Sequence, residues 1–336
     1  MKLDRSTAPG ALAQGASDPA ARGGNDASPP PPARRLRLLA RAAAAAALLL
    51  AVAACSSLRL GYNNADTLAL YALDRYFDLD DAQEQLARER VRALLAWHRR
   101  TQLAEYALFL DAARRRIDAS SSAPLTAEDV LALQAQMTER LLAVGAQAAP
   151  DLALLARSLS DAQMAHFNGK LAAENAKLRK ERSAAAQRRP AGGADAIDAA
   201  RLKRARERAR DWLGPLTAEQ EALLRATVAQ RPDGELRWLE ERERRQRALL
   251  AVLERIRAEQ LAPAAGAALF LQWFAELAQP AAPDLRAAVQ SARAANAQLI
   301  AQLLNSATAE QKAALLKRLR GYADDFAVLA GDAGRG

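Results

Sequence analysis

The sequence predicts an all-α protein, an extended multi-helix bundle of long amphipathic hairpins, and three observations carry that prediction. Beyond residue 57 the chain is dominated by Ala, Leu, Arg, Glu and Gln, which lose little rotamer freedom in a helix. Aromatic residues make up only 4% of the full sequence. Helix-start signals recur along the chain, and each opens a segment whose apolar residues step by threes and fours.

Residues 1–33, rich in Ser, Gly, Pro and Ala and ending in Pro29 to Pro32, have no periodicity. They are expected to be disordered, or to precede the true start of translation. Residues 34–54 read as a lipoprotein signal peptide: Arg34, Arg35, Arg37 and Arg41 form a basic entry, and Ala42 to Ala54 form an apolar run. A bilayer span needs about 20 apolar residues, so a permanent membrane helix is not expected here. The run ends in Val52-Ala53-Ala54-Cys55, which resembles a bacterial lipobox, and Cys55 is the only cysteine. A single cysteine cannot form an intramolecular disulfide. Cys55 is therefore expected to carry lipid, with residues 55–64 as a tether.

Asn64 is expected to cap a first helix reaching about Phe77. Asp80 and Gln83 then have the spacing of a capping box, in which the first side chain accepts from the backbone N–H of the third helical residue and that residue's side chain reaches back. The pattern recurs at Ser160 and Gln163, at Thr217 and Gln220, and at Thr308 and Gln311, with Thr126 and Asp129 as a looser copy. One helix is predicted from about Asp81 to Asp118, about 55 Å long at 1.5 Å per residue. Another runs from Thr126 to about Ala148, where Pro150 is expected to break it, and Ser160 opens a helix to about Arg182. Residues 183–197, with Pro190, Gly192 and Gly193, read as a linker.

The second half repeats the landmarks of the first in order. Gln83 matches Gln220, Trp97 matches Trp238, and Gln163 matches Gln311; Ala148-Ala149-Pro150-Asp151-Leu152 recurs as Ala281-Ala282-Pro283-Asp284-Leu285. This predicts an internal duplication, with repeats at 65–182 and 198–330.

No catalytic constellation emerges. His98 and His166 lie in different predicted helices with no Cys or acidic residue at metal-binding spacing, so no metal or other cofactor is expected. His98 sits on an apolar stripe and reads as a hydrogen-bonded core residue. Asp74, Asp78, Asp80 and Asp81 form the densest carboxylate group, for which capping and favourable placement at a helix N-terminus are the preferred account over acid–base work. The formal charge of +9 falls to +5 without residues 1–54, which carry seven Lys/Arg and three Asp/Glu. With few aromatics among the basic residues, nucleic acid is not an expected partner. Arg201 to Arg210 reads first as a solvated face, with a surface for lipid phosphate or an acidic client as the alternative. Glu240 and Arg244, with Glu243 and Arg247, are expected to pair along a solvated helix.

Tyr62-Asn63, Tyr71, Asp74, Tyr76 to Asp80, Gln83, Trp97-His98-Arg99, Trp212 to Gly214, Thr308, Gln311, Tyr322 and Asp325 together resemble a family of uncharacterised proteobacterial lipoproteins known only as a domain of unknown function. That resemblance implies a localisation and no chemistry. Leu216-Thr217-Ala218-Glu219-Gln220 is similar to the Leu-Thr-x-x-Gln motif of periplasmic, cradle-shaped stress chaperones, which implies an ATP-independent holdase. Ser160 and Ala307 depart from that motif in two of the other copies.

The expectation is a non-enzymatic binding module of the cell envelope, tethered to the membrane through lipid on Cys55 and holding unfolded or envelope proteins. Ser56 after the cysteine favours the periplasmic face of the outer membrane by similarity to sorting rules. The alternative is a structural scaffold for one dedicated envelope protein.

Overall fold

A computed structural model describes residues 57–187, 195–230 and 234–331, all within one compact unit of the chain. Cys55, the signal-peptide residues and Pro190 to Gly193 lie outside the described residues. Residues 57–63 are helical, followed by α1 (Ala65–Phe77), α2 (Asp81–Thr101), α3 (Leu103–Asp118), α4 (Ala127–Ser158) and α5 (Asp161–Gln187). The second half contributes α6 (Asp195–Leu213), α7 (Ala218–Ala229), α8 (Gly234–Ala258), α9 (Pro263–Ala278), α10 (Pro283–Asn305) and α11 (Ala309–Gly331). The result is an all-α, extended bundle, and no described helix is long and apolar enough to cross a membrane.

Three local expectations are corrected. Asn64 does not cap α1, because the chain is already helical before it; its amide Nδ2 donates to the Leu60 carbonyl at 2.8 Å instead. The helix expected from Asp81 to Asp118 is interrupted at Gln102, next to Thr101, whose hydroxyl donates to the Trp97 carbonyl at 2.9 Å. A hydroxyl bonded four residues back competes with the backbone ladder and bends helices.

The third correction concerns Pro150, which stands inside the continuous helix α4. A mid-helix proline has no N–H for the ladder and crowds the preceding turn. Here the helix is held together by packing, since Ala149, Ala153 and Ala156 on either side are buried in a core. The identical pentapeptide in the second half breaks the chain, with Pro283 at the first position of α10. Its fixed φ suits that position, where the N–H has no intrahelical partner anyway. The expected result is opposite signs for one substitution: Pro150→Ala raises stability by about 1–2 kcal/mol, and Pro283→Ala lowers it by a few tenths. Thermal melts of the two variants check this.

The helix pairing follows the duplication. α1 lies on α2 as α6 lies on α7; α2 meets α4 as α7 meets α10; α1 meets α5 as α6 meets α11. α3 packs on α11 of the other half, and α8 packs on α5, so the two halves interlace. Both cores are shared as a result. The first joins Ala149, Ala153, Leu159, Met164 and Phe167 to Leu253, Ile256, Ala267 and Phe270. The second joins Ile117, Leu125 and Val130 to Leu213, Leu224, Ala297, Leu303 and Leu315. α4 and α9 approach closely at Gly266, where an added Cβ would stand 2.7 Å from that of Ala153.

Candidate functional site

The four glutamines that close capping boxes are all buried, and they meet in pairs. At the start of α2, the Asp80 N–H donates to Gln83 Oε1 (3.1 Å) and the Gln83 N–H donates to Asp80 Oδ1 (2.8 Å). At the start of α5 the same exchange joins Ser160 and Gln163, at 2.9 and 3.2 Å. The two amides then bond one another: Gln83 Nε2 donates to Gln163 Oε1 at 3.1 Å, and Gln163 Nε2 to Gln83 Oε1 at 2.5 Å. The remaining N–H groups reach the Ser158 carbonyl (2.9 Å) and the Asp78 carbonyl (2.8 Å). Each acceptor lies two residues before the partner's N-cap.

The second half repeats this clasp at the starts of α7 and α11. Thr217 and Gln220 exchange bonds of 3.0 and 3.2 Å, as do Thr308 and Gln311. Gln220 Nε2 donates to Gln311 Oε1 at 2.8 Å, and Gln311 Nε2 to Gln220 Oε1 at 3.1 Å. The spare donors reach Ser306 O (3.3 Å) and Pro215 O (2.6 Å), again two residues before the partner's cap. Each amide thus uses both donor hydrogens and two acceptor positions. Glutamate would serve an ordinary capping box equally well. Only glutamine supplies the donors that join two boxes. Thr126 forms a capping box with Asp129 but no clasp. Arg116 grips that carboxylate through Nε (3.0 Å) and Nη2 (2.7 Å), and these bonds, led by the guanidinium's, hold its pKa down to about 2.

A second polar cluster pins the start of the described chain to the body. Arg59 Nε meets Asp325 Oδ1 of α11 at 2.8 Å, and Arg99 Nη2 donates to Asn63 Oδ1 at 2.9 Å. His98 lies between the hydroxyls of Tyr62 (2.9 Å to Nδ1) and Tyr106 (3.1 Å to Nε2). Tyr106 meets Phe326 edge-on. Residues 57–63, read from sequence as part of a tether, are therefore helical and bonded in place. Asp325 is buried with one oxygen unpartnered, and desolvation raises its pKa despite the opposing pull of Arg59.

Burial lowers the His98 pKa from its ordinary 6.5 and raises those of both tyrosines. A neutral imidazole here accepts from one hydroxyl and donates to the other. Below pH 6.5 the unfolded chain binds a proton that the folded chain still refuses, so stability falls with pH from 6.5 down to the depressed folded value. Urea melts across that window are expected to show this slope, and His98→Gln to flatten it.

The remaining sequence candidates resolve into structure. Asp80 caps α2, Asp74 Oδ1 accepts from the Leu79 N–H at 3.3 Å, and Asp78 ends α1 in the left-handed region at φ 54°. His166 Nε2 lies 3.4 Å from the Arg75 carbonyl, far from His98 in the sequence and in a different helix. Among the described residues no group of three or more His, Cys, Asp or Glu is placed to hold a metal ion. In the basic run, Arg206 and Arg210 both hold Glu221 of α7. The pairing expected along α8 is corrected: Arg244 bonds Glu241, and Glu243 bonds Arg179 of α5. Arg242 meets Glu174 at 2.8 Å, and Asn175 meets Gln246 at 2.6 Å, so that face is a polar seam between α5 and α8.

The clasps and the docked segment were not visible as assemblies in the sequence. The signal that pointed to the clasps was glutamine, never glutamate, at all four box positions. For the docked segment the signal was Tyr62-Asn63 close behind Cys55.

A family of unknown function (DUF6279) matches residues 75–264, more than half of the chain, and the chain belongs to that family. The match contains the first clasp and Gln220, and it ends before Gln311. No curated protein and no solved structure matches the chain.

Proposed function

We propose that this member of the family is a lipid-anchored protein of the bacterial envelope that binds other proteins without catalysing a reaction. Cys55 is the anchor, and the periplasmic face of the outer membrane is its place. The observation that carries this reading is the sequence at Cys55: a basic entry, an apolar run and a lone cysteine, two residues ahead of the helical body. Several attached acyl chains make such an anchor stable where one chain is marginal.

The binding role is that of an ATP-independent holdase for unfolded or envelope proteins. Both cores are closed within the frame, yet Leu108, Leu141, Trp212, Leu271 and Val328 remain exposed on its helices. Apolar groups spread over a basic frame suit weak contact with many unfolded segments. The likeness of Leu216 to Gln220 to the periplasmic chaperone motif supports the same reading. The clasps contribute rigidity, fixing paired helix starts while the outer faces stay available.

The test is aggregation of several unrelated heated clients in the presence of the chain starting at Ser56. Suppression at near-stoichiometric ratio, without nucleotide, is the expected result. No suppression, with one dominant partner on crosslinking in cells, would replace the holdase with a dedicated scaffold.

A further inference from the structure

From residue 57 to Phe77 the chain is helical except at Asn64. Along it Leu60, Asn64, Leu68, Tyr71 and Arg75 follow at spacings of four, four, three and four, which places them on one face. Leu60 is 67% exposed, Leu68 59% and Tyr71 66%. The other side of the same run is committed to the body. Leu70 is buried, Leu73 lines a cavity of about 70 Å³ against α2 and α4, Tyr76 and Phe77 pack on the first core, and Arg59 and Tyr62 make the contacts described above. A helix on the surface of a soluble body normally turns a polar face outward. This one turns three large apolar side chains outward, interspersed with Asn64 and Arg75.

We propose that the outer face of this run lies on a phospholipid surface. Leu60, Leu68 and Tyr71 enter the boundary between headgroups and acyl chains, and Arg75 meets lipid phosphate. The proposal rests on the reading of Cys55 as the anchor, and the position of the stripe argues for lipid as the occupant. Leu60 follows Cys55 by five residues, a reach of at most about 18 Å. An acylated Cys55 holds the stripe within this reach of the bilayer, at a high effective concentration that adds to its own affinity for lipid. Tyrosine suits the interface because its ring is apolar and its hydroxyl stays at headgroup level. The Asp74 carboxylate, which flanks the face, is turned back to the Leu79 N–H. The body is then held against the membrane along α1.

The test uses the chain starting at Ser56, which contains every described helix and both cores and has no cysteine. Vesicles of phosphatidylethanolamine with a minor share of phosphatidylglycerol are the probe. The chain is expected to float with them, and a polarity-sensitive fluorophore on Tyr71→Cys to shift to the blue. Leu60→Ser/Leu68→Ser/Tyr71→Ser is expected to weaken flotation by about tenfold or more with an unchanged melting curve, because the three side chains are exposed. Leu108→Ser/Leu141→Ser/Leu271→Ser is the control and should float as the parent does. A parent that stays unbound, two triple variants that float alike, or a stripe that proves to join two copies of the chain by sedimentation would each overturn the proposal. Palmitate labelling of the full chain is read separately: no label at Cys55 with flotation intact removes the anchor and leaves the stripe.

Discussion

Produced as two separate pieces, residues 57–187 and 195–331, the chain is expected to lose its fold, and mixing the pieces is expected to restore it. Each half holds its own glutamine clasp, so local capping alone would leave each looking self-sufficient. Packing says otherwise. The first core takes Leu253, Ile256, Ala267 and Phe270 from the second half, and Ile256 is fully buried there. The second core takes Ile117, Leu125 and Val130 from the first. Removing a large buried aliphatic side chain costs about 2–5 kcal/mol, and a whole domain is stable by only about 5–15 kcal/mol. Losing all the partners of one half exceeds that margin several times over. Thermal melts of the separate pieces should lack a cooperative transition, and the mixture should show one. Cooperative melting of either piece alone would mean that the interlacing is not required.

Replacing Gln220 by leucine is expected to cost about 3 kcal/mol, a fall in melting temperature of about 6–12 °C. Leucine keeps the volume and the apolar contacts, so the loss isolates the amide. Gln220 is fully buried, and its removal orphans the Thr217 N–H, the Ser306 carbonyl and both bonds to the Gln311 amide. Each buried polar group left unsatisfied costs about 1–3 kcal/mol, and not every orphan stays dry. Gln220→Glu should be at least as damaging, since a carboxylate cannot donate to Ser306 or Gln311. The double variant Gln220→Leu/Gln311→Leu should cost clearly less than the sum of the single changes, because replacing both partners leaves no amide unpaired. Additive losses would mean that the two glutamines act as separate caps.

The division between what was legible and what was not follows sequence distance. Capping is local: Thr217 and Gln220 are three residues apart, so spacing reveals the box. The clasp joins Gln220 to Gln311, 91 residues on, and nothing in either box names its partner. Pro150 and Pro283 sit in one identical pentapeptide and take two conformations, which only the surrounding packing decides. Glu240 and Arg244 have good helical spacing, yet Arg244 turns to Glu241 and the neighbouring Arg242 and Glu243 face α5. His98 showed its place on an apolar stripe, but Tyr62 and Tyr106 on its two nitrogens required the fold. The order of landmarks in the two halves did foreshadow the helix pairing, because duplicated segments keep their contacts even when loop lengths drift.

On the proposed function, the doubly clasped frame is held at a membrane through Cys55. Intact-mass spectrometry of the protein recovered from bacterial membranes tests that placement most directly. The predicted result is a chain that begins at Cys55 and carries the added mass of attached acyl chains. A chain that retains residues before Cys55, or one that begins there with an unmodified thiol, would contradict it.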